Sequence, residues 1–230
     1  MPHLGLKKEW MLQNFLLAEV KSIIETKLQT IVYIYCMKAF LFIDGTNLYA
    51  AQYELFGPNK YLHFPGFLKE TENALHVKFD QIYFYASYSP RSIQPTNKEK
   101  LYLKNEYYFY RSVKSVQKLT FFKGYRSPTS GKEKEVDVKL SVDIVEKAAN
   151  NEYQALYLIS GDADFMEALF AAKRFGKKVS VICLENKIMF KATRFFAFSL
   201  IQFSSKKIVL KLNTDIFRVK FNQKKLVSTL

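Results

Sequence analysis

The chain has 230 residues, 49% of them hydrophobic and 24% charged, and a formal net charge of +14. This length and balance suit a globular domain with a full core and exclude a disordered or fibrous chain. No apolar run reaches the roughly 20 residues a membrane-spanning helix needs, because the richest stretches, 31–43 and 195–203, are short or broken by Lys38.

At the N-terminus, Trp10, Leu12, Phe15, Leu16, Val20, Ile23, Ile24 and Leu28 fall at roughly helical spacing, which predicts an extra helix. Glu19, Lys21 and Glu25 interrupt it and argue against a signal peptide. Met37 directly precedes "KAFLFIDGTNLY", so residues 1–36 read as an appendage or, preferably, as the product of a start assigned upstream of the true one. "AFLFI" (39–43) is a strand closed by the turn "DGTN", and "QIYFYAS" (81–87) is a second strand. "TNKEKLYLKNEYYFYRSV" (96–113) has helical spacing, and "KLTFFKG" (118–124) is a third strand. "EVDVKLSVDIVEKA" reads as a helix beginning near Glu135, with Val138, Val142 and Val145 as its apolar spacing. "ALYLIS" (155–160) and "KVSVICL" (178–184) complete the strands, with Gly176 stopping the helix between them. Alternating strands and helices require crossovers, which predicts an α/β fold with a mostly parallel sheet covered on both faces. "KKIVLKLNTDIFRVKFNQKKL" alternates apolar and basic residues, so 206–230 reads as a basic tail, edge strand or hairpin.

Open parallel sheets bind ligands beyond the carboxyl ends of their strands. Asp44 stands at that end of the first strand, and Asp162 and Asp164 at that end of the fourth. Asp137, in the first turn of its helix, is the fourth carboxylate. Asp143 is rotated from it by about 240° and reads as structural. Packed carboxylates repel one another and resist ionising. A divalent cation removes that cost, and an all-oxygen site suits Mg²⁺ or Mn²⁺ and in-line phosphoryl transfer. Each acid also has a plainer reading. Asp44 can shape the Gly45 turn, Asp162 or Asp164 can cap the helix near Phe165, and Asp137 can be a first-turn helix charge.

"FLFIDGTNLY", "EVDVKLSVDIVEKA" and "LYLISGDADFMEAL", in this order, resemble the NYN domain family, the PIN-like nuclease fold that includes the LabA-like proteins, over residues 38–203. The resemblance implies a PIN-like three-layer α/β/α sandwich over 37–205 and a metal-dependent ribonuclease. Asp44, Asp137, Asp162 and Asp164 would be its catalytic, metal-holding acids, and Asn47 and Ser160 its polar supports beside the metal or scissile phosphate. The family's closing helix and strand would fall at "RFFAFSLIQF" (194–203), which carries no acid.

The cations cluster: residues 206–230 hold seven Lys or Arg against one acid, and 91–139 hold twelve against five. With Tyr102, Tyr107, Tyr108, Phe109, Tyr110, Phe121, Phe122 and Tyr125 interleaved among them, these residues suggest single-stranded RNA as partner, although most of the rings are expected in the core. Arg91, Arg126, Lys132 and Lys134 are the candidates to line a substrate groove. "SPTSGKEKE" is not a phosphate loop, because the position five before Gly131 is Arg126 rather than glycine. His3, His63 and His76 lie outside the motifs. Two cysteines, Cys36 and Cys183, point to a reducing compartment, taken as the cytoplasm, with no membrane partner and a homodimer as the oligomer to consider. Two other functions stay open: an RNA-binding or regulatory module with negligible turnover, and a metal-dependent phosphatase of small esters.

Overall fold

The computed structural model describes residues 17, 19–25, 37–127, 133–184, 199–203, 207–212, 215–220 and 227–229. The chain divides into two units, Met1–Met37 and Lys38–Leu230. In the first, residues 19–25 are helical and expose Val20, Ile23 and Ile24. Among the described residues no helix is long and apolar enough to cross a membrane.

The second unit begins with β1 (Ala39–Asp44), α1 (Gly45–Phe56), β2 (Lys60–Leu62), α2 (Phe64–Leu75) and β3 (Gln81–Ala86). It continues through α3 (Asn97–Lys114), β4 (Leu119–Lys123), β5 (Tyr125–Arg126), β6 (Glu133–Lys134) and α4 (Val136–Ala149). β7 (Ala155–Ile159), a 3₁₀ turn (Ala163–Phe165), α5 (Met166–Arg174), β8 (Lys178–Leu184) and β9 (Ser199–Phe203) follow. β10 (Lys207–Leu212), β11 (Asp215–Lys220) and β12 (Val227–Thr229) end the described chain.

Eight strands form one sheet in the order β11-β10-β9-β8-β7-β1-β3-β4. The six from β9 to β4 are parallel, and β10 and β11 add an antiparallel hairpin at one edge. All six residues of β1 are buried, which is why its run is apolar without alternation: helices cover both faces of the sheet. On one face Phe40, Phe42, Tyr85, Leu156 and Leu158 pack with α4 and α5. On the other, Phe84 sits among Phe64, Phe109, Tyr110 and Phe121. Burying each such ring or branched side chain contributes roughly 1.5–3 kcal/mol. Most rings of the 101–125 stretch are thereby spent on the core, while Tyr107 and Tyr125 remain more than half exposed.

α4 corrects one sequence expectation. Its buried stripe is Val136, Leu140, Ile144 and Ala148, four residues apart, whereas Val138 and Val142 are 69% and 51% exposed. The opposite choice of face follows from Asp143, which turns inward and accepts a hydrogen bond from the Tyr85 hydroxyl at 2.7 Å while pairing with Lys139. Burial, reinforced by Asp143, pushes the Tyr85 hydroxyl far above its ordinary range, so it stays a donor.

Candidate active site at the strand switch point

From β1 the chain proceeds to β3 and β4 on one side, and β7 leads to β8 and β9 on the other. Strand order therefore reverses between β1 and β7, and the crevice beyond their carboxyl ends is where this kind of sheet binds ligands. Asp44 ends β1, and Ser160 follows β7 directly.

The residues of the two motifs meet there through short, backbone-anchored contacts. Asp44 is the N-cap of α1, its Oδ1 accepting from the Asn47 amide at 3.0 Å. Its Oδ2 accepts from the Ser160 hydroxyl, also at 3.0 Å, across 116 residues of sequence. Ser160 Oγ in turn accepts from the Asp162 amide at 3.0 Å, and Asn47 Oδ1 accepts from the Gly161 amide at 3.2 Å. Asp162 Oδ1 caps the 3₁₀ turn through the Asp164 amide. Its Oδ2 has no partner among the described residues.

Capping and site-building are thus the same geometry here, since a cap requires an oxygen at the start of a helix and both helices start at the crevice. Asp44 is 5% exposed and Ser160 is fully buried, which locks this pair, whereas Asp162 is only half-buried. Gly45 permits the arrangement: a Cβ there would meet the Phe84 ring at 2.1 Å, so any side chain would push the start of α1, and Asp44 with it, off β3.

Asp137 lies exposed in the first turn of α4, and Asp164 is exposed in the 3₁₀ turn, against which α4 packs. Among the described residues no three His, Cys, Asp or Glu side chains come close enough together to hold a metal ion. The described set at the crevice is two carboxylates, Asp44 and Asp162, with the amide of Asn47 and the hydroxyl of Ser160.

Two of the basic candidates, Arg91 and Arg126, sit further along the same carboxyl edge. Arg91 is exposed and lines a cavity of about 480 Å³ together with Tyr88, Leu103, Glu106, Tyr107, Lys114 and Lys123. Arg126 is partly buried and donates from Nε to the Tyr88 carbonyl at 2.8 Å, fixing the loop that leaves β3. Lys132 lies outside the described residues; Lys134 lies in β6, its side chain beyond what is described. Glu106 went unread as a site residue in the sequence. It is 4% exposed and accepts from the Ser89 hydroxyl at 2.6 Å and the Ser89 amide at 3.1 Å. Burial raises its carboxyl above the usual range, while Ser89 and the charges of Arg126 and Arg91 oppose the rise. The available signal was an acid on the aromatic face of α3, three residues before the core residue Phe109.

Against known proteins, no curated protein matches this chain. A crystal structure of a protein of unknown function from Vibrio parahaemolyticus is similar to it at a TM-score of 0.48 and 16% identity, covering 73% of this chain and 92% of that one. The family model described as "NYN domain" matches residues 38–202, which contain the whole crevice. With its mostly parallel α/β sandwich and its strand-end acids, the chain belongs to the NYN domain family, a PIN-like, nuclease-type family.

Proposed function

We propose that the protein is a metal-dependent endoribonuclease whose reaction centre is the crevice between β1 and β7. The observation that carries this reading is the linkage of Asp44 to Asp162 through Ser160 at the switch point of a chain with a formal charge of +14. Inside a strongly basic molecule, the buried Asp44 carboxylate, the Ser160 hydroxyl that ties it to the Asp162 backbone amide, and the half-exposed Asp162 carboxylate form an oxygen-only donor set. Such a set fits Mg²⁺ or Mn²⁺, which take one or two protein carboxylates and fill their remaining positions with water and substrate phosphate. When bound, the cation supplies Lewis-acid polarisation of a phosphodiester and offsets the negative charge that builds in the transition state.

The chain's own groups have distinct tasks in this reading. Asp44 and Asp162 hold the cation, and the exposed Asp137 and Asp164 add negative charge at the rim. Ser160 fixes the angle of Asp44 by donating to Oδ2. Because Asn47 Oδ1 is engaged by the Gly161 amide, its Nδ2 is left as the donor facing a substrate phosphate oxygen. Arg91 and Arg126, with Lys132 and Lys134, provide the positive path that draws in RNA. The proposed compartment is the cytoplasm, where a chain with two cysteines keeps its thiols reduced.

Incubation with labelled single-stranded and structured RNA in Mg²⁺, Mn²⁺ or EDTA tests the proposal. Cleavage that requires the cation and is abolished by Asp44→Asn is expected, and cation-independent cleavage or none at all would overturn it. The second reading, an RNA-binding module with negligible turnover, is favoured by the fact that Asp44 and Asp162 both serve as caps, a role that needs no chemistry.

A further inference from the structure

The cavity beside the crevice has a composition of its own. Leu103, Glu106, Tyr107 and Lys114 line it from one face of α3, at helical spacing, while Tyr88, Ser89 and Arg91 come from the loop after β3 and Lys123 from the end of β4. Among the described residues, Arg91, Lys114 and Lys123 have no carboxylate within ion-pair distance. Both oxygens of Glu106 are engaged by Ser89. Three cations thus face the cavity against one acid that is already spoken for, and the space favours an anion.

The rings are not equivalent. Tyr88 carries Lys114 and Lys123 over its ring at 5.5 and 5.4 Å, and its hydroxyl accepts from Lys114 Nζ at 2.8 Å. It therefore serves to hold two ammonium groups in place. Tyr107 is 58% exposed, meets the Tyr108 ring edge-on, and offers an aromatic surface at the cavity wall. The cavity also lies at the same edge of the sheet as the acids: Lys123 is the register partner of Ala86, and the Ser87 amide, one residue before Tyr88, lies 3.5 Å from Thr46 Oγ1, two residues beyond Asp44.

We propose that this cavity is a subsite for one nucleotide of a single-stranded RNA, with Arg91, Lys114 and Lys123 holding its phosphate and Tyr107 stacking its base. A phosphate alone would not need the exposed ring, and a base alone would not need three cations; a nucleotide uses both. Glu106 is a positioning residue that fastens Ser89, and through it the loop carrying Tyr88 and Arg91. The inference rests on RNA being the substrate, and it assigns the strand a course from the crevice across the exit of β3.

Binding of a short fluorescent oligoribonucleotide, measured by anisotropy in EDTA so that no cleavage intervenes, tests it. Tyr107 and Arg91 are exposed, so Tyr107→Ala and Arg91→Glu should leave the fold intact and each weaken binding by roughly tenfold. Arg91→Glu should also lower the salt dependence of binding, and an abasic strand should lose its sensitivity to Tyr107→Ala while keeping its sensitivity to Arg91→Glu. Unchanged binding by both variants would overturn the subsite even if the protein cleaves RNA. Binding lost in both variants of a protein that never cleaves would uphold the subsite and remove the nuclease reading instead. A free mononucleotide that binds as tightly as the strand would overturn the assignment to RNA in favour of a small-nucleotide site.

Discussion

Two regions at the carboxyl edge of the sheet are built in opposite ways. The crevice between β1 and β7 is made of short side chains, Asp44, Asn47, Ser160 and Asp162, each fastened to a backbone amide or to another of the set at about 3 Å. The cavity beyond β3 is made of long side chains, Arg91, Tyr107, Lys114 and Lys123, projecting from a helix, a loop and a strand end. Short, capped carboxylates lose little entropy on ordering and hold their geometry before any ligand arrives, as precise chemistry requires. The exposed Arg91 and Tyr107 keep rotameric freedom beside two lysines that Tyr88 holds, and a grip on a polymer uses both. The contrast assigns chemistry to the first region and holding to the second.

The largest expected effect breaks the comparison at the crevice. Asp162→Asn keeps an oxygen for the Asp164 amide but removes the charge, so cleavage should fall by on the order of a hundredfold or more while RNA binding stays near wild type, read from rates and anisotropy on one preparation. Gly45→Ala should come next: the clash with Phe84 costs roughly 1–3 kcal/mol of stability, visible in denaturant unfolding, and cleavage should fall with it because Asp44 moves. Thr96→Ala removes a capping box in which Thr96 and Glu99 satisfy each other's backbone amides, and should cost about 1 kcal/mol of stability. Its effect should reach RNA binding before cleavage, since α3 carries the cavity and not the crevice.

The smallest effect sharpens the cavity side and concerns pH. Glu106 holds its proton more tightly in the folded protein than the ordinary value of 4.5, so between that value and its raised folded value the native state binds more protons than the unfolded one. Stability from this group is therefore greatest below about 4.5 and declines as pH rises through the folded value. Glu106→Gln should remove that portion of the decline, measured as midpoint denaturant concentration against pH.

The same contrast explains what could be read from the amino-acid order. The two halves of the crevice were legible because a strand end, a turn and a cap are local events: "FIDGTN" and "ISGDAD" each carry their geometry within a few residues, whereas the pairing of β1 with β7 that joins them is a tertiary fact. The cavity was not, because Glu106 and Tyr107 sit amid rings serving the core, and only tertiary packing separates Tyr107 outside from Phe109 and Tyr110 inside. α2 is a segment whose local signals conflict. Pro65 and Gly66 look like a turn, yet proline is at home in the first turn of a helix, here capped by His63. The sequence points to the wrong face of α4 because valines lie on both sides of it, and the choice goes with Asp143 accepting from the Tyr85 hydroxyl. The pairing of β2 with β12, Leu62 with Val227, joins segments too far apart for any pattern to announce.

The most direct test of the account measures RNA cleavage and RNA binding side by side for the wild-type protein and Asp162→Asn, in Mn²⁺ and in EDTA. The account predicts that the wild type cleaves in Mn²⁺ only and that the variant binds RNA as the wild type does without cleaving it. Equal cleavage by the variant, or by the wild type in EDTA, would contradict it and leave the aspartates at the crevice as helix caps alone.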